Sequence, residues 1–371
     1  GSANALRDQR DAVLGQLSKL MNIKTVADGG VINVYVGSAP LVMAAQNRGV
    51  ALRQDNLAGK LTSTVIFKAD NSAIDVGASG QIGALSDLRA NQIGAAMDKV
   101  DTLAGNLIFS LNKVYSSGQG LRGFSTVTAT NQVDDPTVAL NDPTANLAFK
   151  PVNGSFVVHV KAKGANITTS TLVQVDLDGL NGNDTTLNSL AASLNSIPDI
   201  SASVIGGKLQ INGGSPDIDL SFSQDSSGVL ASLGINSFFT GTTARDIAVN
   251  SIVQANPVLL AASKNSEPGD NQTALAIAGL ESQPVEALNG ASLKDNYQSI
   301  INGIAVSAAS AKTNAEATKA VQDTLSAQRE SLSGVSLDEE AVNLMRQQRA
   351  FQGAARLISA VDEMMKTLLS M

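Results

Sequence analysis

Hydrophobic spacing changes character three times along the chain. Residues 5–20 (ALRDQRDAVLGQLSKL) place Leu6, Val13, Leu14, Leu17 and Leu20 near a 3.6-residue period, which predicts an amphipathic helix. Between 30 and 77 the pattern turns to alternation, as in Val31-Ile32-Asn33-Val34-Tyr35-Val36 and Thr64-Val65-Ile66-Phe67. Gly-rich turns separate those runs, so a small sheet is predicted to follow the helix. A seam with alternating steps of four and three then runs through Ile93, Met97, Val100, Ala104, Leu107, Leu111 and Val114. It predicts one long helix over 83–116 with a helical partner.

The stretch 118–145 has no sustained period and holds two Asp-Pro pairs, and it reads as a crossing between domains. Beyond it FVVHV, TLVQVDLDG and SASVIGGKLQING read as strands. Gly206-Gly207 forms the turn of the last pair, because a two-residue hairpin turn needs a positive φ that Gly accepts without cost. A short helix is predicted at 187–195, closed by Pro198. From about 286 the helical period returns through Tyr297, Ile301, Ile304, Ala308, Ala311, Ala315, Thr318, Gln322 and Leu325. Its many Ala positions permit close interaxial packing, and the expected partner is the 83–116 seam. Residues 3–117 plus 241–335 are thus expected to form a discontinuous helical domain carrying a small sheet. Residues 118–240 form a β-rich outer module inserted in it, and 336–371 a C-terminal assembly helix. The predicted class is α+β and multidomain.

The tail carries the strongest pattern. Ser336 and Glu339 make an S-x-x-E capping box, which starts a helix there. One seam passes through Leu337, Leu344, Phe351, Ile358, Met365 and Leu369; a second, offset by one residue, passes through Leu357, Val361, Met364 and Leu368. The apolar arc is wider than a two-stranded seam requires, so the helix calls for more than one neighbour. An ordinary C-terminal core helix is the plain alternative. The doubled seam favours an assembly helix, whose interface would be those ten side chains.

Composition removes most chemistry. The 371 residues allow two or three domains, and the net charge of −7 argues against a nucleic-acid partner. With no Cys and a single His, thiol nucleophiles, disulfides, cysteine-rich zinc sites and His-based triads lack their residues. No run of 18 apolar residues exists, so no membrane span is expected. All eight Glu fall at or after position 267, whereas 118–240 holds ten Asp and no Glu. Glu suits helix interiors and Asp suits turns, which supports a β centre between helical ends.

The tail SGVSLDEEAVNLMRQQRAFQGAARLISAVDEMMKTLLSM resembles the C-termini of the axial proteins of the bacterial flagellum. LRDQRDAVLGQLSKLMNI with DGGVINVYVGSAPLV, then FFTGTTARDIAVN and LLAASKNSEPGDNQTALAIAGL, resemble the hook-associated protein 1 family within that group. TLVQVDLDGLNGNDTTLNSLAASLNSI with SASVIGGKLQING resembles the small β-α-β insert of flagellins and hook-associated proteins. The resemblance implies a secreted structural subunit outside the cell, in the flagellum, joining hook to filament by helical self-assembly. It implies as partners further copies of the chain, the hook protein, a second junction protein and an export chaperone. Another axial protein, such as the hook protein or a flagellin-like subunit, is the nearest alternative, and a secreted adhesin or glycan hydrolase a more distant one. Gly1-Ser2 looks like a cloning remnant, and the family's N-terminal helical segment is not in the chain. The tail is therefore expected to seek a substitute partner.

Three features invite a sharper chemistry. The acidic stretch 176–184 suggests calcium, but Leu180 and Leu187 occupy positions where the EF-hand pattern needs oxygen ligands. A solvated turn is expected there. His159 stands in a strand-like run without a second His and reads as structural. The pairs Asp134-Asp135 and Glu339-Glu340 read as loop and helix-start carboxylates rather than a glycosidase pair. No catalytic, cofactor or metal residue is predicted.

Overall fold

Helix α1 (Ser2–Leu20) lays Leu14 and Leu17 on a first core that holds Met21, Val34, Val36, Leu41, Val65, Phe67, Ile74 and Val76. The computed structural model describes residues 2–57, 60–164, 167–333 and 337–370. The alternation seen in sequence becomes an antiparallel meander of β1 (Ile23–Asp28), β2 (Val31–Val36), β3 (Ala39–Met43) and β4 (Gln46–Asn47). Beside it stands a hairpin of β5 (Val50–Leu57) and β6 (Lys60–Phe67). The Arg48 guanidinium lies 3.6 Å over the Phe67 ring and pairs with Asp70 at 2.6 Å, so a cation–π contact closes the rim of this core.

The predicted long helix runs unbroken from 80 to 116 as α2 (Gly80–Asp87), a π-helical segment (Leu88–Ile93) and α3 (Gly94–Ser116). The π register shows where the N–H of Gly94 donates to the carbonyl of Arg89, five residues back. Arg89 also donates to the Leu61 carbonyl at 2.8 Å and the Ser63 hydroxyl at 2.9 Å, fastening the β5–β6 hairpin to the helix. The buried face of α3 is Gly105, Ile108, Asn112 and Tyr115, offset from the seam expected to be covered. Ile93, Met97 and Val100 of that seam remain exposed.

The stretch 118–145 is not a free crossing. Phe124, Val127, Val133, Leu140 and Ala145 are buried in the core of the central module, and β7 (Thr126–Thr128) pairs with β11 below. It shows no period because turns, not a regular element, deliver each side chain. Asp135 accepts from the Thr137 N–H and hydroxyl, and Asp142 does the same for Thr144, so both Asp-Pro pairs initiate turns within the module.

That module contains β8 (Gly154–Ala162), β9 (Thr168–Val175), α4 (Leu187–Asn195), β10 (Ile200–Ile205), β11 (Lys208–Gly213), β12 (Ile218–Ser223) and α5 (Val229–Leu233). Two antiparallel sheets, ordered β10-β11-β7 and β12-β8-β9, enclose one core with α4 and α5. Helix α4 has the predicted bounds. Thr186 and Ser189 cap it reciprocally, and Leu187, Leu190, Ala191 and Leu194 form its buried stripe. Gly206 and Gly207 take φ of 58° and 73° in the β10–β11 turn, as their sequence required.

The chain returns through β13 (Phe239–Thr240), β14 (Ala248–Val249), α6 (Ser251–Ala255) and α7 (Gln272–Gly279) to α8 (Leu293–Ser333). Buried Asn112 fixes that return. Its side chain accepts from the Phe238 and Phe239 N–H groups and donates to the Phe239 carbonyl. The Tyr115 hydroxyl accepts from the Ala261 N–H at 3.1 Å. The chain divides into two units, Gly1–Ile301 and Asn302–Met371, and the second holds the remainder of α8 and all of α9 (Leu337–Leu369). The structure is α+β, with helical and β-rich parts and a long C-terminal helix.

Candidate assembly interface

Helix α9 has 33 residues and is therefore about 50 Å long. Asp338, Glu339 and Glu340 in its first turn and Lys366 in its last oppose the helix dipole. Asp362 and Lys366 pair at 3.3 Å one turn apart. Local electrostatics thus favours helix along the polar face. The apolar face has a different state: Leu344, Phe351, Leu357, Ile358, Val361, Met364, Met365, Leu368 and Leu369 are all exposed, Phe351 at 77% and Leu369 at 84%. The side chains of Leu337 and of the capping residue Ser336 lie outside the described residues. In α8, Val306, Val321 and Leu325 are exposed as well. Scattered apolar residues on a surface are ordinary, but a continuous stripe of them marks an interaction face.

In the first unit a second apolar stripe is open. Leu85, Leu88, Ile93, Met97 and Val100 are exposed along α2, the π segment and α3. The first turns of α8 lie nearby: Asn296, Ser299 and Ile300 line a groove of about 290 Å³ with Asp98, Lys99 and Thr102.

His159 lies on the outward face of β8. Each ring nitrogen is 2.7 Å from a hydroxyl, Nδ1 from Ser170 on β9 and Nε2 from Ser223 on β12, so the imidazole bridges all three strands of its sheet. Burial holds its pKa below the ordinary value, which favours the neutral ring that can donate to one hydroxyl and accept from the other. That is the structural role expected of it. In the 176–184 loop one carboxylate oxygen each of Asp176, Asp178 and Asp184 lie within 4.8 Å of one another. Each carboxylate also shapes the turn: Asp176 accepts from the Asn183 amide, Asp178 from the Leu180 N–H and Asp184 from the Gly179 N–H. Asp134 accepts from the Asn146 amide, while Thr137 holds the Asp135 carboxyl below its usual range, so that pair is occupied in turns.

Sequence reasoning missed a cleft of about 1010 Å³ floored by the polar face of the β12-β8-β9 sheet. Its signals were present: the alternation that buries Val158 and Val160 sends His159 and Lys161 outward, and GQGLRG is dense in glycine. A Cβ on Gly120 would lie 2.7 Å from the Val258 carbonyl oxygen, and one on Gly123 would lie 2.6 Å from that of Leu220. Only glycine lets the 117–123 wall run flush against those backbones.

Comparison with known proteins matches these surfaces to a class. Residues 1–129 match the family described as "Flagellar hook-associated protein FlgK helical domain", and residues 317–371 match "Flagellar basal body rod FlgEFG protein C-terminal". The exposed tail is therefore similar to the C-terminal element of flagellar basal body rod proteins. Over its whole length the chain is 23% identical to flagellar hook-associated protein 1 of Escherichia coli (strain K12) and 22% identical to that of Salmonella typhimurium. It spans 64% and 65% of those proteins' lengths. The solved flagellar hook junction protein FlgK from Burkholderia pseudomallei aligns with 90% of this chain and 79% of its own, at 16% identity and a TM-score of 0.46. The chain is thus similar over its full length to flagellar hook-associated protein 1, and its two ends are similar to structural domains of flagellar proteins.

Proposed function

We propose that the chain is a structural axial subunit that joins hook to filament, and that the exposed seams of α9 form its assembly interface. The observation that carries this reading is the tail: every residue of 302–370 whose side chain is described is exposed, apolar positions included. The nine described apolar side chains of its seams are then covered only on assembly, with copies of the chain and with neighbouring axial proteins, the hook protein and a second junction protein among them. The discontinuous helical domain of 3–117 with 241–335, the outer module of 118–240 and the tail of 336–371 are the parts of that subunit. Its place is extracellular, reached through the flagellar export apparatus with a chaperone, and its role involves no turnover. The test is complementation: the full-length protein is expressed in a strain that lacks its own junction protein. Filament attachment is expected for the wild type and lost when Leu357, Val361, Met364 and Leu368 become polar. Attachment by that variant at wild-type level overturns the interface.

A further inference from the structure

The cleft over the β12-β8-β9 sheet carries charge opposite to that of the chain. Arg122, Lys161, Lys163 and Lys264 line it against Asp219 and Glu267, in a protein of net charge −7. Lys163 is satisfied, at 3.5 Å from Asp219 and 2.5 Å from the Pro216 carbonyl. Arg122, Lys161 and Lys264 make no ion pair among the described residues. The wall that carries Arg122 is pinned to the floor: Gln119 Oε1 accepts from Ser266 at 2.7 Å and from Ser221 at 3.3 Å. The cationic rim is thus held in place by a built network. At about 1010 Å³ the space is at the upper end of ordinary ligand cavities and admits a segment of chain rather than a lone ion.

The same module presents the complementary piece. The three clustered carboxylates of the 176–184 loop repel one another, with Asp178 exposed and Asp176 and Asp184 half-buried, in a turn where Gly179 and Gly182 take positive φ. We propose that the cleft receives the 176–184 loop of a second copy of this chain. The loop cannot fill its own cleft. It leaves the Val175 end of β9 whereas the cleft takes in the Thr168 end, seven residue steps or roughly 23 Å away. Donor and acceptor surfaces are therefore different patches, which makes the contact head-to-tail, the type that closes rings or extends helices. This inference deepens the assembly reading above and rests on it, adding an outer contact between neighbouring subunits.

The absence of cysteine gives a clean test, since two introduced thiols report one contact only. Chains bearing Leu121→Cys in the cleft wall are mixed with chains bearing Leu180→Cys at the loop tip, both exposed positions that leave every charge in place. At low salt, disulfide heterodimers are expected to exceed by tenfold or more those formed with the exposed control Ile205→Cys. The excess is expected to vanish at 0.5 M NaCl, where the screening length is about 4 Å. Lys161→Glu in the cleft partner is expected to abolish it, and Asp178→Lys in the loop partner to restore it. A yield equal to the control, or one indifferent to salt and charge reversal, overturns the proposal. So does polyaspartate binding that needs Lys161 without any cross-link, or calcium binding by the loop without one, because either gives a surface another occupant. Repeating the mixture with the tail variant separates the two readings: a retained cross-link with lost filament attachment leaves this contact standing, and the reverse removes it alone.

Discussion

Replacing Leu357, Val361, Met364 and Leu368 together by Gln tests whether the tail is an interface. The four positions follow steps of four, three and four and so share one stripe of α9. They are exposed by 68%, 47%, 60% and 70%, so about two and a half side chains' worth of apolar surface awaits cover. At about 1.5–3 kcal/mol for each fully buried side chain, complete cover contributes ~4–7 kcal/mol per subunit. Since 1.4 kcal/mol is tenfold, the variant is expected to associate about a thousand- to a hundred-thousand-fold more weakly. Monomer stability moves little, because the sites are exposed and Gln matches Leu and Met in helix propensity. Sedimentation velocity across a concentration series reads the association, and hydrogen exchange reads protection in α9. The wild type is expected to associate and protect the helix together, the variant to do neither while the 118–240 module keeps its protection. Strong α9 protection in a strictly monomeric wild type refutes the reasoning, as does equal association of the variant.

Three further outcomes test the first unit. Gly206→Ala meets open space at a φ of 58° and is expected to cost about 1 kcal/mol, whereas Gly207→Ala also drives its Cβ onto the Val133 carbonyl oxygen and is expected to cost clearly more; urea unfolding of both variants decides. Burial lowers the His159 pKa, so the unfolded chain takes up that proton first: stability is expected to fall as pH drops through about 6.5 towards the lower folded value, and His159→Gln is expected to flatten the unfolding profile in that window. Asp225, buried and with its pKa raised by that burial, accepts from Ser227, from the Gly228 N–H and from the Leu230 N–H at the start of α5; Asp225→Ala strands two buried backbone donors and is expected to cost ~2–6 kcal/mol, measured by denaturant midpoint.

Much of the architecture was legible because regular elements leave regular spacing. The bounds of α4 follow from Leu187, Leu190 and Leu194, and the β10–β11 turn from its two glycines. The 118–145 stretch was not legible, because Val133, Leu140 and Ala145 reach the core on successive turns stabilised by Asp135 and Asp142. Such positions have no common period. The cationic cleft was hidden for a related reason. Arg122, Lys161 and Lys264 come from a loop, a strand and a second loop more than 100 residues further on, and nothing in linear order sums their charge. The apolar stripe of the tail was readable because its residues are on a single helix.

The long helix shows how a seam can be read correctly as a pattern while only part of it is buried within the first unit. A step of one residue turns an α-helix by about 100°, and the π segment Leu88–Ile93 adds such an offset between α2 and α3. Arg89, within that segment, is held by Leu61 and Ser63, so the hairpin supports the offset. Downstream, Asn112 and Tyr115 need their partners at Phe238, Phe239 and Ala261, which fixes the rotation of α3 and commits its Ile108 face to the first unit. Ile93, Met97 and Val100 then face away by the same geometry. Hydrogen bonds that only a polar residue can make, not hydrophobic periodicity, chose which stripe this unit buries, and the stripe left over is an apolar face open to a neighbour.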